Sequence, residues 1–175
     1  MRQVLYSVAM SLDGYIAGPN GEYDWIPMDP AIDWAAFMTR FDTVLMGRRT
    51  FDVALRQGQA GSTADMRTYV FSRTLRAADH PTVTVVGENA AEVVANLRRE
   101  SGKEIWLMGG GSLFQSLLEA DAVDVVEVAV IPILLGQGVP FLASLSHRTR
   151  LALADIQKYA SGIVLLTYEV SKDAA

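Results

Sequence analysis

The fold is decided by residues 105–118, IWLMGGGSLFQSLL. The four apolar residues Ile105–Met108 are typical of a short buried strand. Three glycines and Ser112 follow, and residues 113–118 then carry apolar side chains at helical spacing. Glycine lets backbone approach a phosphate closely, and the free N–H groups of a first helical turn point toward it. The stretch therefore predicts a nucleotide site with a pyrophosphate on the glycine turn.

Length and composition bound the class of protein. The chain has 175 residues, of which 50% are hydrophobic and 20% charged, and this predicts one globular domain over residues 1–171 with a frayed tail at 172–175. The net charge of −5 argues against nucleic acid as the main partner. The absence of cysteine excludes disulfides and thiolate chemistry and fits a cytoplasmic location. No run approaches the roughly 20 apolar residues that span a bilayer, and the N-terminus does not resemble a signal peptide.

Three more predicted strands end in residues suited to phosphate or ribose. The strand at 43–46 leads directly into a helix, for which Thr50 is a possible N-cap, and the strands at 68–71 and 82–86 end in polar turns. The residues at the four strand ends are Gly47, Arg48, Arg49 and Thr50; Ser72 and Arg73; Gly87, Glu88 and Asn89; and Gly109, Gly110, Gly111 and Ser112.

These strand ends define one predicted ligand site. In an open α/β sheet, ligands bind beyond the carboxyl ends of the strands. The adjacent arginines favour a ligand with an extra phosphate, such as the 2′-phosphate of NADP, because guanidinium matches phosphate as a fork. The spacing fits neither G-x-G-x-x-G with a following acid nor a Walker A loop with its lysine.

Alternation of strands and helices up to about residue 120 predicts a mostly parallel central sheet. Consecutive strands follow it, and we expect them to add antiparallel edge strands. A helix is predicted from about residue 32 to Phe41, with Asp33 in its first turn, and a mobile loop is expected at 57–66. The apolar region 123–142 is long for an uncovered edge, which favours a homodimer.

Four motifs, in this order, carry a resemblance to a known family. They are AMSLDGYIA at 9–17, VLMGRRTF at 44–51, MGGGSLF at 108–114 and PILLG at 132–136. The set resembles the dihydrofolate reductase fold and, more closely, the reductase domain of bacterial riboflavin-biosynthesis deaminase-reductases and its stand-alone relatives, over roughly residues 2–170. The resemblance implies a three-layer α/β/α fold, hydride transfer from NADPH, and homodimers paired through C-terminal strands.

The resemblance also implies contacts with the cofactor. Ala9 and Ile16 would offer backbone groups to the nicotinamide carboxamide, and Phe114 would lie against the ring. Arg48 would meet the 2′-phosphate, and Arg49 with Thr50 the pyrophosphate. The remaining implied contacts are Ser72 and Arg73 around the adenosine 2′-phosphate, and Gly109, Gly110, Gly111, Ser112 and Leu113 around the pyrophosphate. Gly47 is also expected to bind the cofactor.

The sequence indicates fewer residues for binding the substrate than for binding the cofactor. By resemblance, Asp33 aligns through Phe37 with the pterin-binding carboxylate of folate reductases, and Trp25 falls near their loop tryptophan. From the residues alone, Asp33 is equally a good first-turn residue and Trp25 a packing aromatic. Asp13 is expected to form a turn.

Three functions stay open. The first is a reductase of the 5-amino-6-(5-phosphoribosylamino)uracil type, although this chain has Ser7 where those enzymes usually carry a lysine. The second is a dihydrofolate or pterin reductase, and the third is a protein that binds NADPH without catalysis. His80 and His147 lack the partners of a base or a ligand, so no metal is expected.

Overall fold

The computed structural model describes residues 1–58 and 66–171. These residues form ten strands and four helices, with one 3₁₀ turn at Ala77–Asp79. The predicted loop at 57–66 lies mostly outside the described residues, as does the tail at 172–175. The elements are β1 (Val4–Ser11), β2 (Tyr15–Ala17), α1 (Trp34–Thr39), β3 (Phe41–Gly47), α2 (Arg48–Arg56), β4 (Arg67–Phe71), β5 (Thr84–Val86), α3 (Ala90–Arg99), β6 (Glu104–Gly109), α4 (Gly111–Glu119), β7 (Val125–Ile131), β8 (Val139–Pro140), β9 (Leu151–Lys158) and β10 (Val164–Val170).

Eight strands form one sheet in the order β5-β4-β3-β6-β1-β7-β10-β9. The first six are parallel, and β10 and β9 are each antiparallel to their neighbour. The mostly parallel sheet with antiparallel edge strands is confirmed. The expectation that all strands after residue 120 are antiparallel is wrong for β7, which pairs parallel with β1. Its direction follows from α4, since a helix returns the chain to the starting end of the sheet before the next strand begins.

Helices cover the sheet on both faces. On one face, α3 and α4 pack Val94, Leu97 and Leu117 against the sheet in a core that includes Tyr6 and Leu107. On the other face, the fully buried Phe51 of α2 packs with residues of β3 and β4. Burial of one such aromatic side chain contributes about 1.5–3 kcal/mol. The three-layer α/β/α arrangement predicted from the sequence is confirmed.

The predicted helix near residue 32 is shorter than expected. It has six residues, none of them buried, and Asp33 lies before it as the N-cap and not in its first turn. Phe41, predicted on the helical face, instead begins β3 without an intervening loop. The helix ends early because the chain must enter the sheet at that point.

Candidate nucleotide-binding site

Three helices begin at the carboxyl-terminal edge of the parallel strands. Their N-caps are Gly47 for α2, Asn89 for α3 and Gly110 for α4, and none of these makes a side-chain capping hydrogen bond. By contrast, Asp33 caps α1 by accepting a hydrogen bond from the amide of Ala36 at 2.8 Å. Within the described residues, no N-cap side chain occupies the N–H groups of these three first turns, and the helix dipoles favour an anion there.

A cleft of roughly 1600 Å³ opens at this edge. It brings together most of the predicted cofactor residues: Ile16, Gly47, Arg48, Arg49, Thr50, Ser72, Arg73, Gly109, Gly110, Gly111, Ser112 and Leu113. It is closed on one side by Pro19, Gly21 and Tyr23 of the loop after β2 and on another by Val139 and Pro140 of β8. The cleft is thus lined by polar and positively charged residues that lie where strands end and helices begin.

The cleft is positive within a negative chain. Among the described residues, four arginines and two carboxylates line it: Arg48, Arg49, Arg56 and Arg73, with Asp52 and Glu88. Arg48 donates Nε to both carboxylate oxygens of Asp52, at 2.8 and 2.9 Å. This ion pair orients the guanidinium across α2, and within the described residues its Nη groups make no hydrogen bond. An anion with several charges fits this lining better than a neutral ligand.

Arg56 is a cleft residue that the sequence reasoning missed. It lies seven residues after Arg49 on α2, which is two helical turns and therefore the same face. The spacing alone could have identified it.

The three glycines of the turn have different roles. A side chain at Gly111 would meet the carbonyl oxygens of Pro140 and Phe141 at 3.0 and 3.1 Å, so this glycine is needed for packing. At Gly110 an added Cβ would meet only Thr50 Oγ1, at 3.7 Å. Gly109 has a φ of 148°, which favours glycine, and its peptide bond to Gly110 is cis. The space around Gly110 would admit a side chain, so packing does not require a glycine there, and its backbone faces the cleft.

Two hydroxyl residues at the cleft are placed by local structure. Thr50 is not the N-cap of α2, because Gly47 holds that position. The Ser72 hydroxyl accepts hydrogen bonds from the amides of Thr74 and Leu75, at 3.2 and 3.0 Å. Ser72 thus supports a local turn that positions the neighbouring Arg73 at the cleft.

Two residues predicted beside the nicotinamide do not line the cleft. Phe114 is 2% exposed and stacks on Tyr6 with ring centroids 3.9 Å apart, so its ring belongs to the core. The predicted ring contact is corrected accordingly. Burial also raises the pKa of Tyr6. Ala9 lies within β1 opposite Ala129, next to the cleft residue Val8.

The structure does not bring the predicted substrate residues into the cleft. Asp33 is exposed and engaged in capping α1. Trp25 donates its indole N–H to the carbonyl of Glu22 at 3.1 Å. Phe37 packs edge-on against Phe41 and Trp106, at 5.0 and 5.2 Å between ring centroids.

Asp13 fixes the loops beside the cleft. Its carboxylate accepts hydrogen bonds from the Ser11 hydroxyl at 2.6 Å and from the amides of Leu135 and Gly136 at 3.1 and 2.7 Å. The Ser11 bond, followed by those amides, holds the pKa of Asp13 below its usual range. The turn-forming role is confirmed, and it also ties the end of β1 to the segment before β8.

The histidines have structural surroundings. The His80 ring packs edge-on against Phe51 with centroids 5.1 Å apart, and His147 is exposed beside Ser146.

The described residues contain no group of three or more acidic or histidine side chains placed to hold a metal. In the same part of the chain, no helix is long and apolar enough to cross a membrane.

The fold is a three-layer α/β arrangement of the dihydrofolate reductase type, with a candidate nucleotide-binding cleft at the carboxyl ends of its parallel strands. Residues 2–165 match the family model of the RibD C-terminal domain, so the chain belongs to that family. It is 32% identical over 178 residues to the uncharacterized protein YyaP of Bacillus subtilis, covering 95% of this chain and 94% of the relative.

Solved structures share the fold. A candidate riboflavin biosynthesis protein from Shewanella sp. PV-4 superposes with a TM-score of 0.82 at 27% identity, covering 97% of this chain and 99% of that one. The diaminohydroxyphosphoribosylaminopyrimidine deaminase/5-amino-6-(5-phosphoribosylamino)uracil reductase of Thermotoga maritima superposes with a TM-score of 0.70 at 19% sequence identity. The match covers 97% of this chain and 57% of that one. Dihydrofolate reductase from Enterococcus faecalis, in complex with NADP(H), superposes with a TM-score of 0.66 at 18% sequence identity, and the match covers 97% of each chain. The last two establish likeness of fold alone.

Proposed function

We propose that this chain is an NADPH-dependent reductase of the riboflavin-biosynthesis reductase type. It transfers hydride from the nicotinamide to a polarised C=N or C=O bond of a heterocyclic or ribosyl substrate. The proposal rests above all on the cleft in which three uncapped helix N-termini meet four arginines. Membership in the RibD C-terminal domain family supports the reaction class.

In this proposal the pyrophosphate lies between the starts of α2 and α4. Gly47 and Gly110 are neighbours there, since an added Cβ on Gly47 would come within 3.5 Å of the Gly110 amide. Free N–H groups from both helices can therefore donate to one anion. Arg48, Arg49 and Arg73 are placed for the phosphates, and the 2′-phosphate is the group that would distinguish NADPH from NADH.

The nicotinamide would lie toward Ile16, at the end of the cleft nearest β1. NADPH would supply the hydride there, and the residues of this chain position it against the substrate. The substrate would approach between the end of β1, the loop at 19–25 and α1. A proton for the product can come from water, because Asp33 caps α1 outside the cleft lining.

The test is direct. NADPH should quench the tryptophan fluorescence of the purified protein on binding, and one or more members of a panel of imines, heterocycles and ribosylamines should accelerate loss of NADPH absorbance. Dihydrofolate belongs in the panel because its turnover would identify a folate reductase. Tight NADPH binding with no turnover of any compound would support a protein that binds the cofactor without catalysis.

We also propose that the protein is a homodimer paired through β9 and β10. β9 is the outermost strand of the sheet, and its described side chains are exposed along its whole length. Three of them are large and apolar, Leu151, Leu153 and Ile156. Such an edge exposes unpaired backbone and apolar surface, which a second copy would cover.

A further inference from the structure

The sheet face that carries α1 and α2 is incompletely covered at β1. Because side chains alternate along a strand, Ser7 and Ala9 point to the face opposite Tyr6 and Val8, which pack in the core under α4. Both residues are only half-buried, although β1 has a parallel strand on each side. The cause is α1, which has six residues and buries none of them. A central part of the sheet therefore stays open beneath α1.

This open face adjoins the nucleotide cleft. Tyr6 pairs with Leu107 in register, so Ser7 lies beside Met108 on the neighbouring strand. Met108 lines the cleft. A molecule lying against the nicotinamide end of the cleft can therefore extend over Ser7, Ala9 and Ala129 without crossing a helix.

A nearly buried carboxylate, Glu127 of β7, belongs to this face. Its Oε1 accepts a hydrogen bond from the Ser7 hydroxyl at 2.8 Å, and its Oε2 accepts one from Arg40 Nη1 at 3.3 Å. Its side chain is 8% exposed. A carboxylate has about four acceptor positions. Within the described residues two are used, and the arginine bond is longer than the roughly 2.7–2.9 Å of a good charge-assisted pair.

The charge around Glu127 is negative. Arg40 is shared, since it also pairs with Glu104 at 3.0 Å, so one guanidinium faces two carboxylates. The guanidinium is further held over the rings of Phe37 and Phe41, at 5.9 and 5.3 Å from their centroids. Among the described residues, these contacts thus set two carboxylates against one guanidinium, beside an aromatic cluster formed by Phe37, Phe41 and Trp106.

We propose that Glu127 is a specificity residue that selects a planar substrate head group bearing amidine-like N–H donors or a positive charge. The proposal rests on the proposed function, because the hydride acceptor must lie on this open face. The donors would take the unused acceptor positions of Glu127, while the ring would stack near Phe37 and Trp106. An anionic head group would be repelled by the Glu127 carboxylate.

Three planar probes of equal size test this selection: benzamidinium, benzamide and benzoate. Each is titrated into the NADP⁺-loaded protein and followed by backbone amide NMR. We expect benzamidinium to bind at least about tenfold more tightly than benzoate, since a hydrogen bond to a charged group is worth about that factor or more. The amides of Ser7 and Ala129 should shift. Equal affinities, or shifts confined to other strands, would overturn the proposal.

Variants separate the role of Glu127 from general charge. Glu127→Gln should weaken benzamidinium roughly tenfold and leave benzamide within about twofold. Glu169→Gln, which removes one charge from the exposed end of β10, is the matched control and should change neither. Ser7→Ala removes a competing donor and should strengthen benzamidinium binding. Benzamidinium affinity unchanged in Glu127→Gln, or weakened in Ser7→Ala, would contradict the proposal.

The same titrations without NADP⁺ keep the two proposals apart. Failure to bind NADP⁺ would refute the proposed function while the probe series on the free protein still tests Glu127. Normal NADP⁺ affinity with no selection among the probes would refute the role of Glu127 alone.

Discussion

Gly110 and Gly111 are adjacent, yet a methyl group added to each should have opposite consequences. At Gly111 the new Cβ would lie 3.0 and 3.1 Å from two backbone carbonyl oxygens of residues 140 and 141. Phe141 cannot easily retreat, because its amide is bonded to the carbonyl of Gly14 at 2.9 Å. Overpacking of this kind costs about 1–3 kcal/mol. With about 2–4 °C per kcal/mol for a chain of this size, Gly111→Ala should lower Tm by about 2–12 °C.

Gly110→Ala should leave the fold intact. The backbone φ at this position is −98°, which any residue adopts, and the new Cβ would make one ordinary contact with Thr50 at 3.7 Å. The free energy of unfolding should change by less than about 0.5 kcal/mol. The methyl group would, however, occupy the backbone surface where the pyrophosphate is proposed to lie. Loss of one charge-assisted hydrogen bond costs about 1.5–3 kcal/mol, so NADPH should bind at least about tenfold more weakly.

Thermal denaturation by circular dichroism and fluorescence titration with NADPH measure the two effects independently. The reasoning is refuted if Gly110→Ala binds NADPH like the unmodified protein at an unchanged Tm. It is equally refuted if Gly111→Ala melts at the unmodified temperature, because the packing role of that glycine would then be absent.

Three further predictions concern the cofactor, the loops and the edge strand. Arg48→Ala should weaken NADPH about tenfold or more and NADH much less, since only NADPH has the 2′-phosphate; equal losses in titrations of both cofactors would exclude that contact. Asp13→Asn should raise the hydrogen-exchange rate of the Gly136 amide at neutral pH. Because the folded pKa of Asp13 is lowered, the stabilisation from its carboxylate is full above the unfolded value near 4 and is lost as pH falls through the folded value. In the unmodified protein the protection factor of the Gly136 amide should therefore fall only in acid. Leu153→Glu on β9 should convert a dimer to a monomer in sedimentation velocity, and a monomeric unmodified protein would contradict the proposed pairing.

Local patterns predicted the strand–glycine–helix units because each is determined by neighbours in sequence. Apolar runs, glycine turns and arginines at helix starts lie within about ten residues of one another, and the structure places these strand ends around one cleft. The same local rules also explain the missed Arg56, two turns along α2 from Arg49.

Other features depend on partners that are distant in sequence. β7 pairs with β1, more than a hundred residues earlier, and no local pattern encodes that choice of partner. Phe114 shows that the resemblance to a family can also mislead a prediction. Its helical spacing with Leu117 and Leu118 predicts the core, whereas the resemblance placed its ring at the cofactor, and the structure agrees with the spacing.

The position of β1 has a consequence for synthesis of the chain. This strand leaves the ribosome before the two strands that it pairs with, β6 and β7, which begin at residues 104 and 125. Residues 4–11 are mostly apolar and must remain without a sheet partner until β6 begins at residue 104. Such long-range parallel pairing is slow, and a waiting apolar strand is open to aggregation and to chaperone binding. The middle of the sheet is therefore completed late, and translation that stops before β7 would yield a nascent chain whose first strand lacks one of its two neighbours.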